Sequence, residues 1–378
     1  MNSRSATIVA VSTYPISPVV LPDLVVKGAR GTHDRSDFLL VRILTSAGVE
    51  GFGEVSATLT WSGEDSVTAG RVIDTALARA IIGQPIAGPA VLSRRMDAAL
   101  AGNPFAKAGV STAIWDAWAR TLDVPLAHAL GGIHRTSVPV KCSLSGDGPR
   151  LDETFHAATA AGFGAFKVKV GMDVDTDTAR LRRARRLAGP DALIGLDANG
   201  GYSPDEAARA LAAFRPSRPA FFEQPVRPEN LDGMRAMRGL GLPVIADESV
   251  FGIDDLRRLI LARAADVASV YVGKSSYLER AMSMAHTAAA FDVRVVLGSN
   301  GELGLGAAAQ THLACAAPSL DDAIPSDIIG ALYYEEDVLE TPLPMNGATV
   351  SLPDAPGLGV DLRPDLLERL RRADRALT

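Results

Sequence analysis

Seven short apolar segments recur through the second half of this chain. They read VPVKCSLS, AFKVKVG, LIGLDAN, AFFEQPV, PVIADES, ASVYVGKSS and VRVVLGSN. Their starts lie roughly 23–28 residues apart, which is the length of one strand plus one helix. Helical stretches such as DTARLRRARRLA and PDEAARALAAF fill the gaps. Alternation at this period predicts parallel βαβ units. Seven units in one stretch fit a closed α/β barrel better than the alternative, a doubly wound open sheet.

The first half has a different grain. Residues 1–60 contain β-branched stretches, ATIVAVSTYPI and FLLVRILTSAGVEGFGEV, the second broken by a turn signal. Between them PVVLPDLVVKGARGTHDRSD is rich in Pro, Gly and charge and reads as a loop. From about 66 to 130 the pattern turns helical and alanine-rich. Strands followed by helices predict a separate α+β domain. The tail from TPLPMNG onward has no βα rhythm and is expected to return to that domain. The expected division is 1–130, 131–345 and 346–378, and at about 150 residues per domain a chain of 378 residues allows it.

Composition excludes several classes of function. Lys and Arg number 38 against 44 Asp and Glu, a net charge of −6, which leaves no general basic field for nucleic acid. Cys142 and Cys315 are too few for a disulfide framework or a thiolate metal site. No apolar run is long enough for a membrane span, and MNSRSATIVAVSTYP shows no leader pattern. The expectation is a soluble cytoplasmic enzyme without a nucleic-acid or membrane partner.

The polar residues of the seven segments fall near their ends. Lys167 and Lys169 alternate and so share one strand face. Asp197 and Asn199 are likewise two apart, Glu223 follows on the next segment, and Asp247 with Glu248 on the one after. Lys274 ends the sixth segment, and Ser299, Asn300 and Glu302 follow the seventh. Charge is costly inside a barrel core but belongs at its C-terminal mouth, where barrel active sites are built.

Asp197, Glu223 and Asp247 lie on three consecutive segments. Converging carboxylates repel unless a cation sits among them, and an oxygen-only donor set suits Mg²⁺, with Mn²⁺ as substitute, rather than zinc. The alternative is an acid–base network in which Lys167 neutralises the acids. Lys169 and Lys274 come from opposite sides of the barrel, where they can serve as general bases on opposite faces of a substrate. Either alone could instead pair with Glu248 or Glu302.

These motifs resemble the enolase superfamily, specifically the mandelate racemase/muconate lactonizing enzyme family and its lysine-bearing muconate-lactonizing subgroup. GVEGFGEV, NPFAKAGVSTAIWDAWARTLDVPLAHALGG, KVKVG, DANGGYS, FFEQP, IADESV and PGLGV carry the likeness across nearly the whole chain. The resemblance implies a modified (β/α)₇β barrel of TIM type with an α+β capping domain. It implies Asp197, Glu223 and Asp247 as Mg²⁺ ligands, with Asn199 and Glu248 near the metal. Lys169 and Lys274 would be the acid/base pair, Lys167 would hold a substrate carboxylate or enolate, and Glu302 matches the acid after strand seven. The implied chemistry is removal or delivery of a proton α to a carboxylate through a metal-stabilised enediolate. The implied assembly is a homo-oligomer, an octamer or smaller.

The substrate, a small carboxylate, is the open element. The capping loop, about residues 16–37, would close over the site with Lys27, Arg30 and His33, and Trp61 either lines the pocket or packs the cap. Dipeptide epimerases of the subgroup carry Asp-x-Asp near strand eight; IPSDIIGALYY has Asp327 without the second acid. His128, His134, His156, His286 and His312 read as structural, Cys142 as packing, and GELGLGAAAQ lacks the Lys-Ser/Thr of a phosphate loop. Muconate cycloisomerase-like chemistry is the leading expectation. A two-lysine epimerase, racemase or dehydratase on an amino or imino acid of hydroxyproline type comes next, and a non-enzymatic carboxylate-binding relative stands outside it.

Overall fold

The computed structural model describes residues 6–375, so the first five residues of the segment read as leaderless lie outside it. The first β-branched stretch forms β1 (Ile8–Ile16), and the Pro/Gly-rich loop folds back as a narrow hairpin, β2 (Val26–Gly28) and β3 (Gly31–His33). β4 (Phe38–Thr45) and β5 (Glu50–Val55) complete an antiparallel sheet ordered β1-β4-β5. β4 is buried at almost every position, because the helix Pro104–Leu122 lies across the sheet. The two glycines of EGFGEV permit that approach. A Cβ at Gly53 would stand 2.0 Å from the Gly109 carbonyl oxygen of the helix, and one at Gly51 2.2 Å from that of Ala113.

The seven apolar segments are the strands of one parallel sheet. After the short β6 (Ser137–Pro139) come β7 (Cys142–Leu144), β8 (Ala165–Lys169), β9 (Leu193–Asp197), β10 (Phe222–Glu223), β11 (Val244–Ala246), β12 (Val267–Val270) and β13 (Arg294–Leu297). They pair strictly in sequence order. The remaining gap is closed by the irregular segment 319–327. Val295 N donates to Ser319 O at 2.8 Å and Asp327 N to Leu297 O at 2.8 Å on one side, and Lys141 N donates to Ser326 O at 3.0 Å on the other. That segment stands where an eighth strand belongs, and Pro318 just before it and Pro325 within it interrupt the ladder.

The barrel is filled in layers. Phe221, Ile245, Val267, Val296 and Ile324 form an apolar plug at its lower end. Gly195, facing inward on β9, has no room for a side chain because the Phe221 ring occupies it. Above the plug lies a layer of charged side chains, and above that an open cavity.

The tail returns across the molecule. β14 (Thr349–Ser351) pairs with β6, and the helix Pro364–Arg375 packs on β1 with Leu366 and Leu370 buried. Arg371 of that helix meets Glu50 at 2.6 Å. Among the described residues no helix is long and apolar enough to cross a membrane.

Candidate active site

A cavity of about 180 Å³ opens where the strands end beneath the hairpin β2–β3. From the barrel it is lined by Lys167, Lys169, Asp197, Asn199, Glu223, Asp247, Ser299, Asn300 and Asp327. Arg30, His33, Thr58 and Trp61 are among its walls from the N-terminal domain. Strand register explains the convergence. Lys169 stands opposite Asp197, and Asp197 opposite Glu223, so three charged side chains sit abreast on neighbouring strands.

Each carboxylate meets a lysine. Lys169 Nζ donates to Asp197 Oδ2 at 2.6 Å and to Asn199 Oδ1 at 3.0 Å. Lys167 Nζ donates to Glu223 Oε1 and to Asp327 Oδ2, both at 3.0 Å, and lies 3.5 Å from Asp197. Lys274 Nζ donates to Asp247 Oδ1 at 2.6 Å and to the Asp247 and Ser269 carbonyl oxygens at 2.9 Å. Burial works against the Asp197 carboxylate, yet Lys169 and Lys167 hold it down to about 2. Burial pushes Glu223 up to about 8 against the pull of Lys167, with Asp197 and Asp327 adding to the rise. Burial also lifts Glu248 to about 7, with Asp247 and Asp197 contributing. Burial alone would lower the Lys167 ammonium, but Asp327, Glu223 and Asp197 carry it well above its usual range.

In this arrangement Lys167 does neutralise the acids, and among the described residues no three His, Cys, Asp or Glu side chains already form a coordination cluster. The donor set nevertheless suits a hard divalent cation. It is all oxygen, it spans three adjacent strands, and Glu223 Oε2 is buried without a hydrogen-bond partner. Glu248 Oε2 is equally unpartnered, while its other oxygen accepts from Asn199 Nδ2 at 3.1 Å. Glu223 lines the cavity, and an uncompensated carboxylate oxygen there is the feature a cation would satisfy, whereas Glu248 lies outside the cavity wall.

Several residues take positions that the sequence does not foretell. Lys274 sits not on the sixth strand but on a one-turn helix, Val272–Ser275, directly after it. It does not line the cavity; it lies beneath Asp247, with its ammonium 4.6 Å from the Tyr271 ring centre. Lys27 points away from the cavity: it is exposed, because strand alternation turns Val26 and Gly28 inward instead. Glu302 is also outside the cavity wall. It accepts from Ser299 and from Asn300 N (3.0 Å), and so supports two residues that do line the wall. Asn300 in turn donates to Ser56 O at 2.6 Å and Thr58 Oγ1 at 3.2 Å, tying the barrel mouth to the other domain. Trp61 has both of its expected roles. It lines the cavity and stacks on Phe251, ring centres 5.4 Å apart.

Other residues at the site carry weak sequence signals or none. Arg30 reaches over the mouth to Glu248 and the Asn199 carbonyl, both at 3.4 Å. Gln224, of FFEQP, holds a left-handed backbone (φ 37°) and accepts from Asp247 N at 3.0 Å and Ser249 N at 3.1 Å. Strained backbone of this kind persists only where surrounding bonds fix it, and here it aims Asp247. Asp327 joins the charged layer although the segment carrying it has no regular strand pattern. The Gly-rich GELGLG is a helix start whose N–H groups are already taken. Leu303 N and Gly306 N donate to the Glu54 carboxylate at 2.9 Å, and Gly304 N donates to Asp337 at 2.9 Å. His312 is structural as expected, and Cys142 is buried, its thiol pushed up to about 12 by desolvation.

Comparison with known proteins places the chain among relatives of the same fold. Residues 10–131 match the mandelate racemase / muconate lactonizing enzyme N-terminal domain, and residues 150–366 match the enolase C-terminal domain-like family. The chain is 32% identical over 342 residues to a chloromuconate cycloisomerase of Cupriavidus pinatubonensis, covering 89% of this chain and 91% of the relative. It is 30% identical over 339 residues to an L-Ala-D/L-Glu epimerase of Bacillus subtilis, covering 88% and 92%. Among solved structures, it superposes on the dipeptide epimerase of Cytophaga hutchinsonii complexed with Mg and D-Ala-L-Val. The TM-score is 0.89 at 28% identity, over 96% of this chain and 98% of the other.

Proposed function

The chain belongs to the mandelate racemase/muconate lactonizing enzyme family of the enolase superfamily, and from that membership we propose that it is a Mg²⁺-dependent enzyme of muconate cycloisomerase-like type. It would remove or deliver a proton α to the carboxylate of a small substrate through an enediolate. One observation carries the reading: Asp197, Glu223 and Asp247 end three adjacent strands, with one lysine against the first acid and another against the last.

Asp197, Glu223 and Asp247 would hold the cation, and Mn²⁺ is an acceptable substitute. A divalent cation there supplies stabilisation of the negative charge that develops on the substrate carboxylate. Lys167, directed into the cavity floor, binds that carboxylate. Lys169 takes the α-proton from one face, and Lys274 serves the other once its pair with Asp247 opens. Arg30 and the hairpin β2–β3 cover the mouth and exclude water, which prolongs the life of a strongly basic enediolate.

A second reading, an epimerase or dehydratase acting on an amino or imino acid, is favoured by lysines on two sides of one acid row. Ile329 bears on it as well. It lines the cavity two residues after Asp327, where a second acid would bind a peptide ammonium group. A substrate without a free ammonium at that end fits better. In either case we expect a cytoplasmic homo-oligomer with no nucleic-acid or membrane partner.

The test is a deuterium-exchange panel. Muconates, hydroxy acids, amino acids and imino acids are incubated in D₂O with Mg²⁺, and loss of the α-proton signal and formation of lactone are followed. Lactone formed from a muconate supports the leading reading, and exchange with inversion supports the second. Silence across the panel would favour a non-enzymatic carboxylate binder.

A further inference from the structure

Below the cavity floor lies a lysine that the chemistry above does not use. Lys141 has no solvent exposure, and its ammonium stands 3.0 Å from Asp327 Oδ2. It also donates to Pro325 O and sits 5.5 Å from the centre of the Phe221 ring, on top of the apolar plug. Strand alternation explains its place. Ser143, two residues on, lines the cavity opposite Lys167, so Lys141 faces inward one layer deeper. It cannot touch a ligand in the cavity. Whatever it does there passes through Asp327.

Asp327 Oδ2 lies 3.0 Å from both ammonium groups, Lys141 below and Lys167 beside it. Lys167 carries one positive charge against Glu223, Asp327 and, at 3.5 Å, Asp197. If Asp327 had no other partner, it would absorb much of the attraction that Lys167 could offer a substrate. Lys141 supplies a counter-charge from beneath, in a layer where charges interact strongly because water is excluded. A fully buried lysine is costly unless it is paired and hydrogen-bonded, and Lys141 meets that condition through Asp327 and the Pro325 carbonyl.

We propose that Lys141 is a positioning residue that neutralises Asp327 from below the pocket, leaving the Lys167 ammonium available to the substrate carboxylate. The proposal rests on the carboxylate-binding role given to Lys167 above.

The experiment measures the affinity of oxalate in magnesium buffer by calorimetry, for the wild type, K141M, D327N and the K141M/D327N double variant. Methionine keeps the length of the side chain and removes its charge. K141M should bind oxalate at least about tenfold more weakly, the effect of one uncompensated carboxylate a few ångströms from the binding group. D327N should bind more tightly than wild type, because both lysines lose their shared acid. The double variant, with both charges gone, should lie between K141M and D327N. A merely structural lysine would lower the fraction of folded protein without producing this order. Unchanged affinity in K141M, or a double variant binding no better than K141M, overturns the proposal. Should K141M fail to fold, D327N binding more weakly than the double variant does the same. A wild-type protein that does not bind oxalate overturns the carboxylate role of Lys167, and this proposal with it.

Discussion

Lys274 is held by Asp247 through two atoms, the carboxylate Oδ1 at 2.6 Å and the backbone oxygen at 2.9 Å, beneath a side chain that itself faces the cavity. Lys169 is held by the Asp197 carboxylate at 2.6 Å and by Asn199 Oδ1 at 3.0 Å, and its side chain is 13% exposed where that of Lys274 is 1%. The two candidate bases are thus alike in chemistry and unlike in access to water.

Removing either base should separate the two faces. K169A and K274A are each expected to lose α-proton exchange from one face by about 10²–10⁴-fold, the usual contribution of a positioned general base. Exchange is followed by NMR in D₂O with each enantiomer of a substrate found in the panel. Retention of wild-type exchange in both variants would sink the two-base assignment.

Cation binding should appear as stability. Mg²⁺ binding only to the folded chain raises its melting temperature by mass action, and at a hundredfold excess over Kd the gain is about 2.7 kcal/mol. We expect the melting temperature to rise with Mg²⁺ and fall back with EDTA. E223Q, which replaces the side chain holding the unpartnered oxygen, should abolish the shift. An equal Mg²⁺ response in E223Q would remove Glu223 from the ligand set.

Gly195, the strand partner of Lys167, offers a packing test of the barrel interior. A Cβ there would fall 1.9 Å from Phe221 Cζ, inside the rigid end of a buried ring. G195A is expected to destabilise the fold by about 3 kcal/mol, at the upper end for an overpacked core. F221L should recover part of that loss in the double variant. Denaturant unfolding of the four proteins decides it, and a fully stable G195A would contradict the layer described for the barrel interior.

His312 gives a pH dependence of known sign. Its Nδ1 accepts from Ala127 N at 3.1 Å and its Nε2 bonds the Leu358 carbonyl at 3.0 Å, so the neutral ring joins three distant segments. Burial pushes it down to about 4. Between about 6.5 and 4 the unfolded chain binds a proton that the folded chain refuses, so stability falls as pH falls through that window. The loss across the whole window is about 3 kcal/mol, because each pH unit of it costs about 1.36 kcal/mol. The difference in unfolding free energy between wild type and H312Q should be largest and level above about pH 6.5 and should shrink as pH falls from there toward about 4. A difference that stays constant with pH would show that the ring does not titrate differently on folding.

The barrel was legible because its signal is periodic. Strand spacing fixed seven segments, and alternation placed Lys167 with Lys169 and Asp197 with Asn199 on common faces, as the structure has them. What escaped was set by irregular backbone. The closing segment 319–327 has no strand pattern, so periodicity gave Asp327 no place in the charged layer and only the family likeness set it near strand eight. Lys274 left its strand through a single helical turn, and Gln224 acts through a left-handed conformation that no periodicity announces. Lys27 shows the limit of reading a loop by composition. It lies in the right hairpin, but on the wrong side of a two-residue alternation. Lys141 was in plain view in VPVKCSLS, yet a lysine at the beginning of a strand looks like a solvated end until the layer beneath the pocket is seen.

The Glu54 carboxylate, which caps the barrel helix from the other domain, bears on how such enzymes change substrates over evolutionary time. The helix Gly304–Ala316 depends for its N-terminus on an acid more than two hundred residues away, so neither domain is a self-sufficient module. A transplanted N-terminal domain would have to deliver a carboxylate to the same point or leave buried N–H groups unsatisfied. The hairpin carrying Arg30 and His33 bears no such obligation to that helix. Diversification by altering this hairpin is therefore open to the chain, whereas wholesale exchange of domains is largely closed.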